Sequence, residues 1–261
     1  MIIMVQGIFD SHAHYNDESF DGDREAVIEM LRQNGVVGVV NIGCNLEAAR
    51  QCIDLAHSHP GFFHTTVGIH PEDAGKLPTE WLGTIETLAE DETVCAIGEI
   101  GLDYHYDDAP SREDQITVFE AQLQLAQKLE LPVVIHSRDA TEDTMTLLRK
   151  YRPSGVVHCF SGSAETAREI IRLGMYVGFT GVVTFPNARK AKEAAAAIPL
   201  DRILLETDCP YMAPVPFRGK RSTSDMIAYT AAAIAEIRGI TTQEVVDAAR
   251  ENTLRMYGIR Q

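Results

Sequence analysis

The sequence predicts an α/β fold: a (β/α)8 or TIM barrel formed as one domain over residues 1–261. Three observations lead there. Short runs rich in Val, Ile and Gly alternate with segments of helical period along the whole chain. The runs are apolar nearly end to end, as strands are when helices cover both faces of a parallel sheet. There are eight such runs, the number of units that closes a barrel, and no Pro/Gly-rich linker divides them. An open doubly wound sheet is the competing arrangement.

The strand candidates, in order, are 7–14 (GIFDSHAH), 36–43 (VVGVVNIG), 62–70 (FFHTTVGIH), 94–103 (VCAIGEIGLD), 132–138 (PVVIHSR), 155–162 (GVVHCFSG), 176–181 (YVGFTG) and 202–210 (RILLETDCP). The opening MIIMVQGIF reads as the first buried strand. It lacks a basic flank and is too short to span a bilayer. Between the strands, DREAVIEMLRQNG ends on a glycine suited to a helix C-terminus, and Ser111 is placed to cap the helix that follows it. Asp139 with Glu142, and Thr241 with Glu244, stand at capping-box spacing.

A chain of this length buries roughly three quarters of its unfolded surface, so a sizeable core is available. Five cysteines, at 44, 52, 95, 159 and 209, form no C-x-x-C pair, which argues against a disulfide framework or a thiolate zinc site and points to the cytoplasm. The net charge of −15 disfavours a non-catalytic duplex-binding module, because phosphate backbones attract basic surfaces. An enzyme that meets a few phosphates through metal ions and local arginines remains compatible with it.

The polar residues fall where a barrel builds its active site, at the C-terminal ends of the strands. His12 and His14 close the first, His70 the third, and Glu99 and Asp103 lie late on the fourth. His136 ends the fifth, His158 lies on the sixth, and Glu206 and Asp208 end the eighth. Side chains two apart on a strand share a face, so His12 and His14 lean into one space. His57, His59 and His64, in or beside a helix end, are assigned no role.

Burying His12, His14, His136, His158, Glu99 and Asp208 as bare polar groups would be costly, and divalent cations resolve that cost. The nitrogen-rich set suits Zn, Mn, Fe, Ni or Co, with Mg a poorer match, and six ligands exceed what one open catalytic zinc needs. Two ions sharing a carboxylate can activate water, so hydrolysis is the reaction class. Asp208 would close the barrel beside the first strand, share an ion with His12 and His14, and accept the water's proton as general base.

FDSHAH, GIHPEDA, AIGEIGLDYH, VVIHSRDA, HCFSG and LLETDCPYMAP, in this order, resemble the TatD family of metal-dependent deoxyribonucleases within the amidohydrolase superfamily, as does the tail ENTLRMYGI. The resemblance implies one metal on His12, His14 and Asp208, a second on His136 and His158, and Glu99 bridging. It also implies that His70 and Glu206 line the site. The implied substrate is DNA, bound transiently and trimmed from a 3′ end.

Arg138 and the FRGKR cluster (Arg218, Lys220, Arg221), in a loop stiffened by Pro210, Pro214 and Pro216, are the cations best placed to meet a substrate phosphate. Tyr104, His105 and Tyr106 are candidates for stacking on a base. Strand alternation turns Cys159 and Cys209 away from the site, and Glu206 shares a face with Asp208. Competing readings are a metal-dependent hydrolase of an amide, ester or aminoacyl bond on the same barrel, and a non-catalytic metal or nucleic-acid binder. The sequence leaves the oligomeric state open.

Overall fold

A computed structural model describes residues 5–260. Among these residues the strands β1 (Ile8–Ala13), β2 (Val36–Gly43), β3 (Phe63–Val67), β4 (Val94–Asp103), β5 (Val133–Arg138), β6 (Gly155–Val157), β7 (Tyr176–Phe179) and β8 (Ile203–Leu205) form one sheet in sequence order. Every ladder is parallel. The helices between them are α1 (Arg24–Gln33), α2 (Leu46–Ser58), α3 (Trp81–Leu88), α4 (Arg112–Leu129), α5 (Thr141–Tyr151), α6 (Ala164–Arg172) and α7 (Arg189–Ala197). Two more, α8 (Ile227–Arg238) and α9 (Thr242–Tyr257), follow β8. This is the TIM barrel that the alternating pattern predicts. Residues 1–4 of the expected first strand lie outside the described residues. Among the described residues no helix is long and apolar enough to cross a membrane.

Local chemistry starts and stops these elements. Asn45 caps α2 by accepting from the Glu47 and Ala48 amides, and Ser111 caps α4 through the Asp114 amide. Thr241 and Glu244 form the expected reciprocal box on α9. The box expected at Asp139 does not form. Helix α5 starts after an uncapped Ala140, and Asp139, at φ 52°, turns its carboxylate onto His105 Nδ1 at 2.9 Å instead.

Strands β6 and β8 pair over three residues each, well short of the apolar runs that announced them. Left-handed backbone at Cys159 (φ 43°) and Asp208 (φ 59°) leads the chain off the ladder. His158, Glu206 and Asp208 therefore stand on turns just past the strands, and strand alternation does not decide where Cys159 and Cys209 point. Likewise β3 ends at Val67, and His70 heads a short 3₁₀ turn, Pro71–Asp73. His64 lies within β3, inside the 62–70 run expected as the third strand, and stacks on Phe9 at 6.1 Å.

Phe9, Val40, Ile42, Val134, Val156 and Leu204 belong to one apolar cluster, to which α9 contributes Met256 and Tyr257. A larger cluster joins the alternate strand residues to the helices. The period of two that packs Val134 into the first cluster delivers His136, within β5, to the same side, towards the C-terminal end.

Strands β1 and β8 close the barrel through side chains and turns, with one parallel bridge, Ala13 to Cys209. The His14 amide donates to Cys209 O (2.8 Å), the Asp208 amide to His12 O (2.9 Å) and Ser11 Oγ to Leu205 O (3.0 Å). Fully buried Asp10 accepts from Thr207 Oγ1 (2.5 Å), Ser224 Oγ (2.6 Å) and the His12 and Thr207 amides (3.2 and 3.1 Å). Burial pushes its carboxyl up to about 6 despite these donors. The seam thus sets His12 and His14 beside Asp208.

Candidate metal centre

Six of the predicted site residues converge. His12 Nε2 and His14 Nε2 approach to 3.2 Å, and Asp208 Oδ1 lies 3.5 Å from the first and 3.3 Å from the second. Across the barrel His136 Nδ1 and His158 Nε2 are also 3.2 Å apart. Glu99 stands between the two groups. Its Oε1 is 2.6 Å from His158 Nε2 and 2.8 Å from His136 Nδ1, and its Oε2 is 3.4 Å from His12 Nε2. A register shift between Ile97 and Ile100 breaks the β4–β5 ladder where Glu99 turns inward.

Facing imidazole nitrogens at 3.2 Å repel unless a proton or a cation lies between them, and both pairs do so beside a carboxylate. His12, His14 and Asp208 form one candidate metal-binding group, and His12, Glu99 and His158 another. The donors are imidazole nitrogens and carboxylate oxygens, the set that suits a borderline divalent ion.

The electrostatics divide the histidines: His12 and His70 are lowered, and His14, His136 and His158 raised. Burial, then the field of His158, takes His12 down to about 4, and burial takes His70 down to about 3, so both imidazoles keep free lone pairs at neutral pH. Burial opposes charge on Glu99, but His158, His12 and His136 outweigh it and hold the carboxyl well below its ordinary range. At His136 the hydrogen bonds to Asp103 and Glu99 overcome burial and raise the imidazole to about 9. Protons on the histidines here supply the positive charge that the carboxylates demand.

Two members of the site escaped the sequence reading. Asp103, noted on β4 without a role, accepts from His136 Nε2 at 2.9 Å and so leaves Nδ1 to face Glu99. Cys44, just past β2, puts its sulfur 3.8 Å from His14 Nδ1 and 3.7 Å from Glu99 Oε2. Its signal was its position at a strand's C-terminal end, masked by the absence of any paired cysteine motif.

The remaining candidates divide. His70 reaches the centre, with Nε2 3.7 Å from Glu99 Oε1. Arg138 stands exposed at the rim, donating to Tyr106 Oη at 3.0 Å. Glu206, expected to touch substrate, is 0% exposed; it accepts from the Cys159 amide and lies 3.9 Å from His158 Nδ1. Gly178 makes room for it, since a Cβ there would overlap the carboxylate. Burial raises Glu206 to about 8, so it meets its neighbours as a neutral acid at pH 7.

Arg221 is committed to Asp23 in two hydrogen bonds, 2.6 and 2.8 Å, and to Ser19 O. Tyr104 is packed rather than open to a base: its hydroxyl donates to Asp143 and Arg112 covers its ring. The Cys159 and Cys209 thiols are pushed up by burial, Cys209 to about 12, which leaves neither a thiolate nucleophile.

The arrangement has known relatives. A family model described as TatD related DNase matches residues 9–258. The chain is 42% identical to the uncharacterized metal-dependent hydrolase YabD of Bacillus subtilis, over 97% of this chain and 99% of that protein. It is 32% identical to the 3'-5' ssDNA/RNA exonuclease TatD of Erwinia amylovora, over 97% of this chain and 100% of that one. The crystal structure of YJJV, a TatD homolog from Escherichia coli K12, superposes with a TM-score of 0.91 at 31% identity and 100% coverage of both chains. With a matching barrel, a convergent His, Glu and Asp cluster and a family match over nearly its whole length, the chain belongs to the TatD-related DNase family of metal-dependent hydrolases.

Proposed function

We propose that the chain hydrolyses phosphodiester bonds in single-stranded DNA from the 3′ end, using two divalent ions that share Glu99. One observation carries this reading: Glu99 presents Oε1 to His136 and His158 and Oε2 to His12. A carboxylate whose two oxygens face separate ligand groups is what a bridged pair of ions requires. His12, His14 and Asp208 would hold one ion, and His136 and His158 the other. The activity in the name of the Erwinia relative supports the choice of bond. The five free cysteines support a cytoplasmic setting, and we treat residues 1–261 as one domain.

Bound there, the ions would lower the pKa of water and neutralise charge on the phosphoryl oxygens. The chain's own residues do the rest. Asp208 is kept ionised against burial by the His14 hydrogen bond and the fields of His12 and His158, and accepts the attacking water's proton. Asp103 fixes His136 in the tautomer that turns Nδ1 inward. His70 and Arg138, at the mouth, orient the scissile phosphate.

The test is to strip the protein of metal, reload it separately with Mn, Zn, Mg or Co, and offer single-stranded DNA, duplex DNA, RNA and an aminoacyl ester. The reading predicts stepwise release of nucleotides from the 3′ end of single-stranded DNA. Turnover of the ester alone overturns it.

A further inference from the structure

Two clefts open among the segments that follow the barrel strands, the first after β1 and β8 and the second after β6 and β7, and they differ in sign. The larger, about 730 Å³, is bordered by Asp17, Glu18 and Asp21 together with Tyr211, whose amide donates to Asp208 O. Of its two cations, Arg221 is already paired with Asp23. The smaller, about 380 Å³, lies between Ser161, three residues past His158, and the segment that leads into α7. Among the described residues no carboxylate lines it.

Phe185, Asn187, Arg189 and Lys190 form its far wall, and Arg218 lies over the Phe185 ring with its guanidinium carbon 4.3 Å from the centroid. Arg189 reaches Glu193, 3.5 Å away on its own helix, while among the described residues neither Lys190 nor Arg218 has a carboxylate within ion-pair distance. In a chain of net charge −15, this is a local reversal of sign.

The loops next to the cleft are tied to one another. The Val215 amide donates to Thr184 Oγ1 (2.8 Å) and Thr184 Oγ1 to Gly181 O (2.6 Å), tying the loop after β7 to the loop after β8. Gly181 packs against Met212 O so closely that any Cβ would clash. A volume of about 380 Å³ falls at the small end of ligand pockets, which start near ~300 Å³.

Resting on the nuclease reading above, we propose that this cleft is a nucleotide subsite. It holds the part of the substrate strand that leads away from the scissile bond, with a phosphate against Arg189, Lys190 and the Ser161 hydroxyl, and a base over the Arg218–Phe185 pair. Guanidinium planes and aromatic rings accept any base by stacking, which suits an enzyme that advances along a strand. The acidic cleft repels the same phosphates, so the strand takes one side of the mouth.

The experiment compares metal-loaded wild type with Arg189→Ala/Lys190→Ala on a single-stranded 12-mer and on bis(4-nitrophenyl) phosphate, a diester too small to span centre and cleft. Lys128→Ala/Arg149→Ala, on helices α4 and α5, removes the same charge elsewhere. The proposal predicts an oligonucleotide KM raised about tenfold in the cleft variant, well beyond any change for the small diester. It also predicts a salt slope of log KM shallower by ~0.7, for the one phosphate whose contact is lost. Equal KM changes on both substrates, an unchanged slope, or the same effect in the control variant overturns it. Wild-type enzyme that cleaves the small diester but no oligonucleotide overturns the nuclease reading itself.

Discussion

His12 and Asp208 are joined twice across the seam of the barrel: the Asp208 amide donates to His12 O at 2.9 Å, and Asp208 Oδ1 lies 3.5 Å from His12 Nε2. The contact that closes the fold therefore also sets together two ligands of the proposed metal centre, and stability and metal binding would be coupled through it.

Removing Asp10 tests that coupling. Asp10→Ala strands two hydroxyls and two amides in a dry seam, with an expected loss of roughly 3 kcal/mol. For a chain of this size that is about 6–12 °C in Tm. Thermal melts with and without added Mn should show a larger stabilisation by metal in wild type than in the variant. Equal stabilisation in both would separate the seam from the site.

The ligand groups should be separable by metal content. His14→Ala is expected to lose one ion per chain and His158→Ala the other, whereas Glu99→Gln should weaken both and lower turnover by more than ~100-fold. Elemental analysis after dialysis reads this directly. Full retention of both ions in Glu99→Gln would contradict a bridging role.

Asp208 and Glu206, two residues apart, should behave in opposite ways. Asp208→Asn is expected to lower kcat far more than metal content. Glu206→Gln, at a residue that is already neutral at pH 7 and wholly buried, should leave KM for substrate within about twofold. A large KM change in Glu206→Gln would return that residue to the substrate.

The difference between those two carboxylates shows where the sequence stopped being legible. Residues on regular strands were readable: β2 and β4 have the ends expected of them, and the positions of Glu99 and His136 late on β4 and β5 put them at one end of the barrel. Past the strands the period fails. Positive φ at Asp208 breaks the alternation, so Glu206 faces His158 in the dry interior while Asp208 joins His12 and His14. Cys44 and Asp103 act through contacts with residues distant in sequence, 30 positions for Cys44 with His14 and 33 for Asp103 with His136, which no local spacing encodes.

Cys44 tests that last point. With Nε2 of His14 turned to the centre, Nδ1 faces the Cys44 thiol, which burial keeps protonated, up to about 11. Cys44→Ala should weaken metal affinity by about tenfold, as loss of a ligand's outer partner does. Isothermal titration with Zn or Mn measures it. Wild-type affinity in the variant would make the contact incidental.

Away from the centre, His57 and Asp91 form an exposed pair at 2.9 Å. The hydrogen bond to Asp91 raises His57 above the ordinary 6.5. Against partial burial, hydrogen bonds from His57 and Thr93 hold Asp91 low. Stabilisation through His57 is thus complete below pH 6.5 and fades as pH rises through the raised value, while that through Asp91 is lost as pH falls through its lowered one. An NMR titration should find His57 above 6.5 and find it lowered in Asp91→Asn; no change in the variant would rule the pair out as the cause.

Anomalous diffraction from Mn-loaded crystals would show whether Glu99 bridges two ions. Two peaks are expected about 3.5–4 Å apart, one within bonding distance of His12, His14 and Asp208, the other of His136 and His158, each touching one oxygen of Glu99. A single peak at full Mn loading, or two peaks of which either lies away from Glu99, would contradict the bridge.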